Sequence, residues 1–156
     1  MRIREATSED AQTVKDELLV PGYRETAAVA PAYSELDEEG VAASSVDRWL
    51  DDDERVLFVA ETDGDLAGYV SGGCHDSPPI YARGPYTNVD GLYVKPAYRR
   101  DALASRLLDR IEAWAADRGC EYVGVSAHVA NDPAVELYDD RFERTYVSYR
   151  GRIDDE

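Results

Sequence analysis

Apolar and polar positions change period several times along the chain, and each change marks an element. Leu103, Leu107, Ile111 and Trp114 recur at helical spacing with Arg106, Asp109, Arg110 and Asp117 turned away, which predicts a helix with one buried stripe. Gly119 closes it as a left-handed cap. Ahead of it, Val89 to Val94 is β-branched, aromatic and aliphatic, and Pro96 ends any ladder, so Val89 to Gly119 reads as strand, tight loop, helix.

The rest of the chain is organised around that unit. Arg2 to Ala6 alternates as a short strand, and Thr7 or Ser8, followed by Glu9 and Asp10, starts a helix that is expected to end before Pro21-Gly22. Residues 23–43 hold a helical fragment, Pro31 and an acidic stretch around Glu38 and Glu39, and Ser44 or Ser45 caps a second helix running through Trp49 to Asp52. Arg55 to Thr62 is a strand joined through Asp63-Gly64-Asp65 to a second one, Leu66 to Ser71, because Asp-Gly between apolar runs marks a hairpin. Pro78, Pro79, Gly84 and Pro85 keep His75 to Pro85 as a surface loop. Glu121 to His128 alternates as the next strand, and Asp132 caps a short helix with Pro133 at its first position, ending near Asp140. Thr145 to Arg150 is expected to be an amphipathic strand before a frayed acidic end at Asp154-Asp155-Glu156.

Composition bounds what such a chain does. With 156 residues, 44% hydrophobic and eleven Tyr, residues 1–156 are expected to form one domain around one core. Thirty-three acidic residues against seventeen basic ones give a net charge of −16, which argues against nucleic acid and anionic membranes as partners. Lys15 and Lys95 are the only lysines and the Asp residues are scattered, a surface like that of proteins from halophilic archaea, where salt screens self-repulsion. No run of 18 apolar residues occurs, and no signal peptide is apparent. Cys74 and Cys120 are expected to stay reduced in a cytoplasmic protein, and with His75 and His128 they lack zinc-ligand spacing, so no metal is expected.

Several residues carry chemistry that plain packing leaves unexplained. Tyr98 to Ala104 delivers free backbone N–H groups to the start of a helix, a ready anion site. Asp101 in that turn also reads as the helix N-cap, a use that conflicts with an anion. Gly91 inside a strand signals a bulge or a close backbone approach. No Gly-x-Ser-x-Gly, Walker or Rossmann pattern is present.

Arg99-Arg100-Asp101-Ala102-Leu103-Ala104 resembles the acetyl-CoA motif of the GNAT superfamily of N-acetyltransferases, Arg or Gln, two residues, Gly, one residue, Gly or Ala. The preceding Leu92-Tyr93-Val94-Lys95-Pro96-Ala97-Tyr98-Arg99 and the later Asn131, Ala134, Leu137 and Tyr138 resemble the same family, with Ala102 departing from its Gly and Arg141 standing where Gly is usual. Ala102 costs little if its φ is helical and more if φ is positive.

The resemblance implies an α/β (α+β) fold: a mixed, mostly antiparallel twisted sheet with splayed central strands, flanked by helices. It implies acetyl-CoA as co-substrate, no metal, and direct acetyl transfer to a small-molecule or peptide amine, with the oxyanion held by the Val94 N–H. By the same resemblance Leu92, Tyr93, Val94, Arg99, Arg100, Asp101, Ala102, Leu103, Ala104, Ser105 and Asn131 bind the cofactor, and Tyr138 protonates the departing thiolate. Asp90, placed on one strand face with Asn88, Leu92 and Val94, is the candidate base, and His75 is its alternative. A homodimer stays open. So do two rivals, a catalytically idle CoA-binding or interaction module and a nucleotide-binding α/β protein.

Overall fold

The computed structural model describes residues 1–99 and 101–153, so Arg100 and the acidic end 154–156 lie outside the described residues. Five strands, β1 (Arg2–Glu5), β2 (Arg55–Thr62), β3 (Asp65–His75), β4 (Tyr86–Val94) and β5 (Tyr122–Gly124), stand side by side in chain order. Every pair is antiparallel except β4 with β5. Asp63 and Gly64 turn the β2–β3 hairpin with φ of 52° and 81°, the two positive values that a two-residue loop needs to follow the twist of its strands.

Both faces of the sheet are covered, and each cover is a separate apolar cluster. On one face α6 (Leu103–Asp117) lays Leu103, Leu107, Leu108, Ile111 and Trp114 on Phe58, Val70, Val89 and Val94. On the other, Val14, Leu18 and Leu19 meet Trp49, Leu57, Val59 and Tyr69. Gly119 follows α6 with a φ of 78°. Cys74 at the end of β3 and Cys120 just before β5 are free thiols with their sulfurs 3.2 Å apart.

The first helical run does not end before Pro21. It starts in a single 3₁₀ turn at Ser8–Asp10, where the Thr7 N–H donates to Asp10 Oδ2 at 2.7 Å. It continues through α1 (Ala11–Val14), a π turn (Lys15–Leu19) and α2 (Val20–Val29). Proline lacks an N–H and its ring crowds the carbonyl four residues back, but the wider π turn just before Pro21 supplies the extra residue that lets the chain pass. The short helices α3 (Pro31–Ser34), α4 (Glu38–Ala43) and α5 (Asp47–Asp51) follow, and the Ser45 hydroxyl accepts from the Asp47 N–H at 3.0 Å.

Two expected caps are assigned differently. Ala102, with φ 54° and ψ 31°, is the residue before α6, and Asp101 is exposed outside it, so Asp101 is not the N-cap. At α7 (Asp132–Arg141) the cap is Asn131, whose Oδ1 accepts from the Ala134 N–H at 3.3 Å, because Asp132 already lies inside the first turn. Arg141, which stands where the resembled family usually has Gly, pins α7 to α6 through Asp109 (2.8 Å) and Glu112.

The strand expected over Glu121–His128 is hydrogen-bonded only at Tyr122–Gly124, and Thr145–Arg150 forms no strand at all. A strand pattern becomes a strand only when a ladder partner is within reach. The terminal segment instead meets α3, where Arg152 donates to the Ala32 carbonyl and the Arg150 and Arg152 guanidinium groups stand 5.8 and 5.0 Å from the Tyr33 ring.

Two stability predictions come from these caps. The Arg4 guanidinium, bonded to both Asp10 oxygens at 2.8 and 3.0 Å, pulls the Asp10 carboxyl down from 3.8 to about 2. A depressed carboxyl stabilises above its unfolded value and loses that contribution as pH falls through its folded value. Asp10→Asn is therefore expected to destabilise at neutral pH, and urea melts should show its deficit against wild type shrinking between about pH 4 and about pH 2; a deficit constant over that range would disprove the ion-pair account. Ala102→Gly relieves a left-handed Ala, worth about 1–2 kcal/mol, against about 0.4–1 kcal/mol of added unfolded-chain freedom. The expected net is a Tm about 1–4 °C higher by calorimetry, and a lower Tm would mean that the turn holds Ala102 without strain.

Candidate active site

The site begins where β4 and β5 part. Tyr86, Thr87 and Asn88 pair with Tyr122, Val123 and Gly124, and the ladder stops there although β4 runs on to Val94. On the other edge of β4 the Lys95 N–H donates to the Ala67 carbonyl at 2.9 Å, and Tyr69 faces Tyr93 in the same register. Antiparallel pairs alternate, so the main-chain groups of Leu92 and Val94 point away from β3 and into the gap. The Val94 carbonyl is taken by Arg99 Nε at 2.8 Å, while the Leu92 N–H and C=O and the Val94 N–H face the opening.

A β-bulge shapes the same strand. Ser71 faces Gly91 and Gly72 faces Val89, which leaves Asp90 as the extra residue. Asp90 turns toward the Trp49 face, where its Oδ2 accepts from Trp49 Nε1 at 2.9 Å and its Oδ1 from Asn88 Nδ2 at 3.0 Å. Leu92 and Val94 pack instead on the α6 face, so Asp90 shares a face with Asn88 but not with them; the bulge breaks the alternation that the sequence predicts. Gly91 is required here, since a Cβ would lie 2.5 Å from the Tyr69 hydroxyl. Burial pushes that hydroxyl well above the usual tyrosine range, and the neighbouring Ser71 Oγ is buried with no hydrogen-bond partner among the described residues.

Two cavities meet at the bulge. One of about 240 Å³ lies in the gap itself, lined by Leu92 and the loop Val125–His128 together with Thr26 and Val29 of α2, Tyr138 of α7 and the α7 cap Asn131. The second, of about 380 Å³, opens toward Arg48, Arg55 and Asn88, and it shares Val89, Asp90 and Ser126 with the first. Tyr138 is half-buried, its ring 6.2 Å from that of Phe142, and burial raises its hydroxyl above the usual range, which keeps it protonated.

The start of α6 supplies the remaining feature. Among the described residues no side chain caps its N-terminus, so the first-turn N–H groups at Leu103, Ala104 and Ser105 are open to an anion. The residues there differ in use: the Leu103 side chain is buried in the core, and the Ser105 main-chain carbonyl accepts from Arg141 at 3.4 Å. Arg99 pairs with Glu25 at 2.7 Å, and Tyr93 points to the other face, against Gly22.

His75 lies outside both cavities, at the end of β3 with its ring 5.5 Å from Tyr86. His128, which the sequence raises only as a metal ligand, borders the gap and accepts the Ala130 N–H on Nδ1 at 3.0 Å. Arg48 and Trp49 reach the site from a helix whose local sequence carries no sign of it, and only the contact of α5 with the sheet brings them there, whereas Thr26 and Val29 belong to the segment between the first and second strands that the family resemblance implies beside the acceptor pocket. Among the described residues no three His, Cys, Asp or Glu side chains are placed to hold a metal ion, and no helix is long and apolar enough to cross a membrane.

This architecture and sequence match known proteins. An acetyltransferase of Yersinia pestis (strain Pestoides F) is 29% identical over 96 residues, 60% of this chain and 61% of that protein, so the chain spans about three fifths of that relative's length. A mutant of the BH1408 protein from Bacillus halodurans has the same fold at a TM-score of 0.84 and 15% identity, covering 98% of this chain and 99% of its own. The aminoglycoside N-acetyltransferase AAC(6')-Iy, solved with CoA, superposes at a TM-score of 0.67 with 20% identity over 97% of this chain and 95% of its own. The model of the acetyltransferase (GNAT) family matches residues 22–142, and with that match the chain belongs to the acetyltransferase (GNAT) family.

Proposed function

We propose that residues 1–156 form one acetyltransferase domain that moves acetyl from acetyl-CoA directly to an amine. The observation that carries this reading is the open edge of β4, with the Leu92 N–H and C=O unpaired among the described residues and directed toward a cavity that is also lined by the half-buried Tyr138. An amide-bearing arm pairs with such an edge as a strand would. The open first turn of α6 suits the pyrophosphate, and Ala102 leaves it unobstructed while Asp101 stays outside the helix.

Chain groups then divide the chemistry. The amine enters from the Arg48 and Asn88 side and gives its proton to Asp90, whose oxygens Trp49 and Asn88 hold in place. Its nitrogen bonds to the acetyl carbon, the carbon–sulfur bond breaks, and the sulfur takes the Tyr138 proton. Leu92 borders the cavity and Val94 does not, so we assign the developing oxyanion to the Leu92 N–H rather than to Val94. The acceptor is a small-molecule or peptide amine, a reading supported by the aminoglycoside acetyltransferase among the structural neighbours. The acidic surface suits a cytoplasm rich in salt, as in halophilic archaea.

A second reading has one observation in its favour. Arg99, a residue of the cofactor motif, is engaged by Glu25 and the Val94 carbonyl, as in a domain that binds CoA weakly without turnover.

Tyr138→Phe separates these readings. It removes a hydroxyl and keeps the ring, so the fold and acetyl-CoA binding by calorimetry should persist while thiol release falls about 10²- to 10⁴-fold. Unchanged turnover would remove Tyr138 as the acid, and absence of thiol release with any amine by the wild type would favour the idle module. Acetyl-CoA at about 100 times its dissociation constant should stabilise by about 2.7 kcal/mol while ATP does not. The halophile reading expects Tm to rise steeply from dilute buffer to molar KCl, and a flat salt profile would oppose it.

A further inference from the structure

The larger of the two cavities carries a charge pattern that the transfer chemistry does not use. Its floor is one row of the sheet, in which Arg55 faces Gly73, Gly73 faces Asn88 and Asn88 faces Gly124. Residues opposite one another across strands share a face, and Arg55 lies two residues before Leu57, so this row stands on the Trp49 side. The two glycines leave the row open between its polar members. A Cβ at Gly73 would lie 3.2 Å from Arg55 Cγ, so the stem of Arg55 leans over the glycine toward the strand that carries Asn88.

Arg48 borders the same cavity from α5. Its guanidinium is exposed 4.1 Å from the Trp49 ring and forms no ion pair among the described residues, in a chain with 33 acidic residues. Arg55 gives its Nε to Asp52 at 3.3 Å, and its two terminal nitrogens make no hydrogen bond among the described residues. The third charged residue of the lining is Asp90, whose oxygens Trp49 and Asn88 hold. Two positive charges thus stand with one negative charge around a single opening, although the chain as a whole carries −16.

We infer that the acceptor is a small amino carboxylate, its carboxylate received by Arg48 and Arg55 and its amine by Asp90. This substrate class rests on the acetyltransferase reading above and adds to it the charge of the molecule acetylated. A guanidinium offers a carboxylate two parallel N–H donors, and such charge-assisted bonds are stronger than neutral ones. A volume of about 380 Å³ lies at the small end of ligand sites and suits a free amino acid. A polycationic amine would bring further ammonium groups against two guanidinium groups, which costs affinity. No bond is made or broken at either arginine, so both determine specificity.

Calorimetric titration of the chain in the presence of CoA, at one fixed KCl concentration, measures the preference without turnover. The probes are glycine, L-glutamate and L-phenylalanine, each against its α-carboxamide. At least one amino acid should bind about tenfold or more tightly than its carboxamide, the size of one hydrogen bond to a charged group. Arg48→Gln and Arg55→Gln should each shrink that ratio at least about threefold while acetyl-CoA binding persists, and Arg48→Lys, which keeps the charge and loses the fork, should fall between. Thiol release with the same amino acid should show the loss in KM rather than in kcat. Should a Gln variant lose acetyl-CoA binding, the wild-type ratio and its fall in Arg48→Lys decide the question. Equal binding of acid and carboxamide, a ratio that survives both Gln variants, or tighter binding of spermidine than of any amino acid overturns the assignment. Absence of binding by all the amino acids does so too. Selective binding of an amino acid without thiol release supports the assignment and sinks the acetyltransferase reading instead, so the two fail separately.

Discussion

The divergence of β4 from β5 is the constraint on which the rest of this molecule depends. Main-chain N–H and C=O groups in a half-buried position are costly when unpaired, about 1–3 kcal/mol each, and a sheet normally satisfies them by running its ladders to the end. Here the ladder stops after three residue pairs, and the fold tolerates it because the opening reaches solvent and is bordered by helices that do not fill it. The bulge at Asp90 makes the parting possible: one extra residue re-aims the strand and turns a carboxylate across the sheet to meet the Trp49 indole. The Tyr69 hydroxyl fills the space that a Cβ at position 91 would need, so the strand passes the bulge only with glycine there.

The two apolar clusters divide the work of holding this opening. The α6 cluster fixes the strand–helix unit that presents the uncapped helix start, and the opposite cluster positions α2 and α5, whose side chains border the two cavities. Arg141 belongs to the same frame. By joining α7 to Asp109 and Glu112 of α6, it sets the distance between Tyr138 and the helix start.

Much of this was legible in the sequence wherever the determinant was local. The stripe Leu103, Leu107, Ile111, Trp114, the Asp63-Gly64 turn, the Gly119 cap and the bulge signalled by Gly91 all depend on neighbours within a few residues, and the structure has each of them. What the sequence missed depends on distant partners. The helix passes Pro21 through a π turn that no residue announces, and the face of Asp90 follows from a bulge whose position fixes parity. Ala102 was legible as a departure but not in its sign, since only the backbone angle decides whether Ala is cheap or strained there. Trp49 and His128 enter the site by tertiary packing alone, and the strand expected at Thr145–Arg150 does not form, because its alternating pattern meets no ladder partner among the described residues.

The bond between Trp49 Nε1 and Asp90 has an optical consequence. The chain has two tryptophans, and each ring lies under a guanidinium, Arg48 over Trp49 at 4.1 Å and Arg118 over Trp114 at 4.5 Å. They differ in what their indole N–H meets: Trp49 is held by a carboxylate at the junction of the two cavities, whereas Trp114 sits at the far end of α6. Indole emission is sensitive to such a neighbouring charge, so a cationic guest that draws on the Asp90 oxygens changes the electric field at one fluorophore and leaves the other as an internal reference.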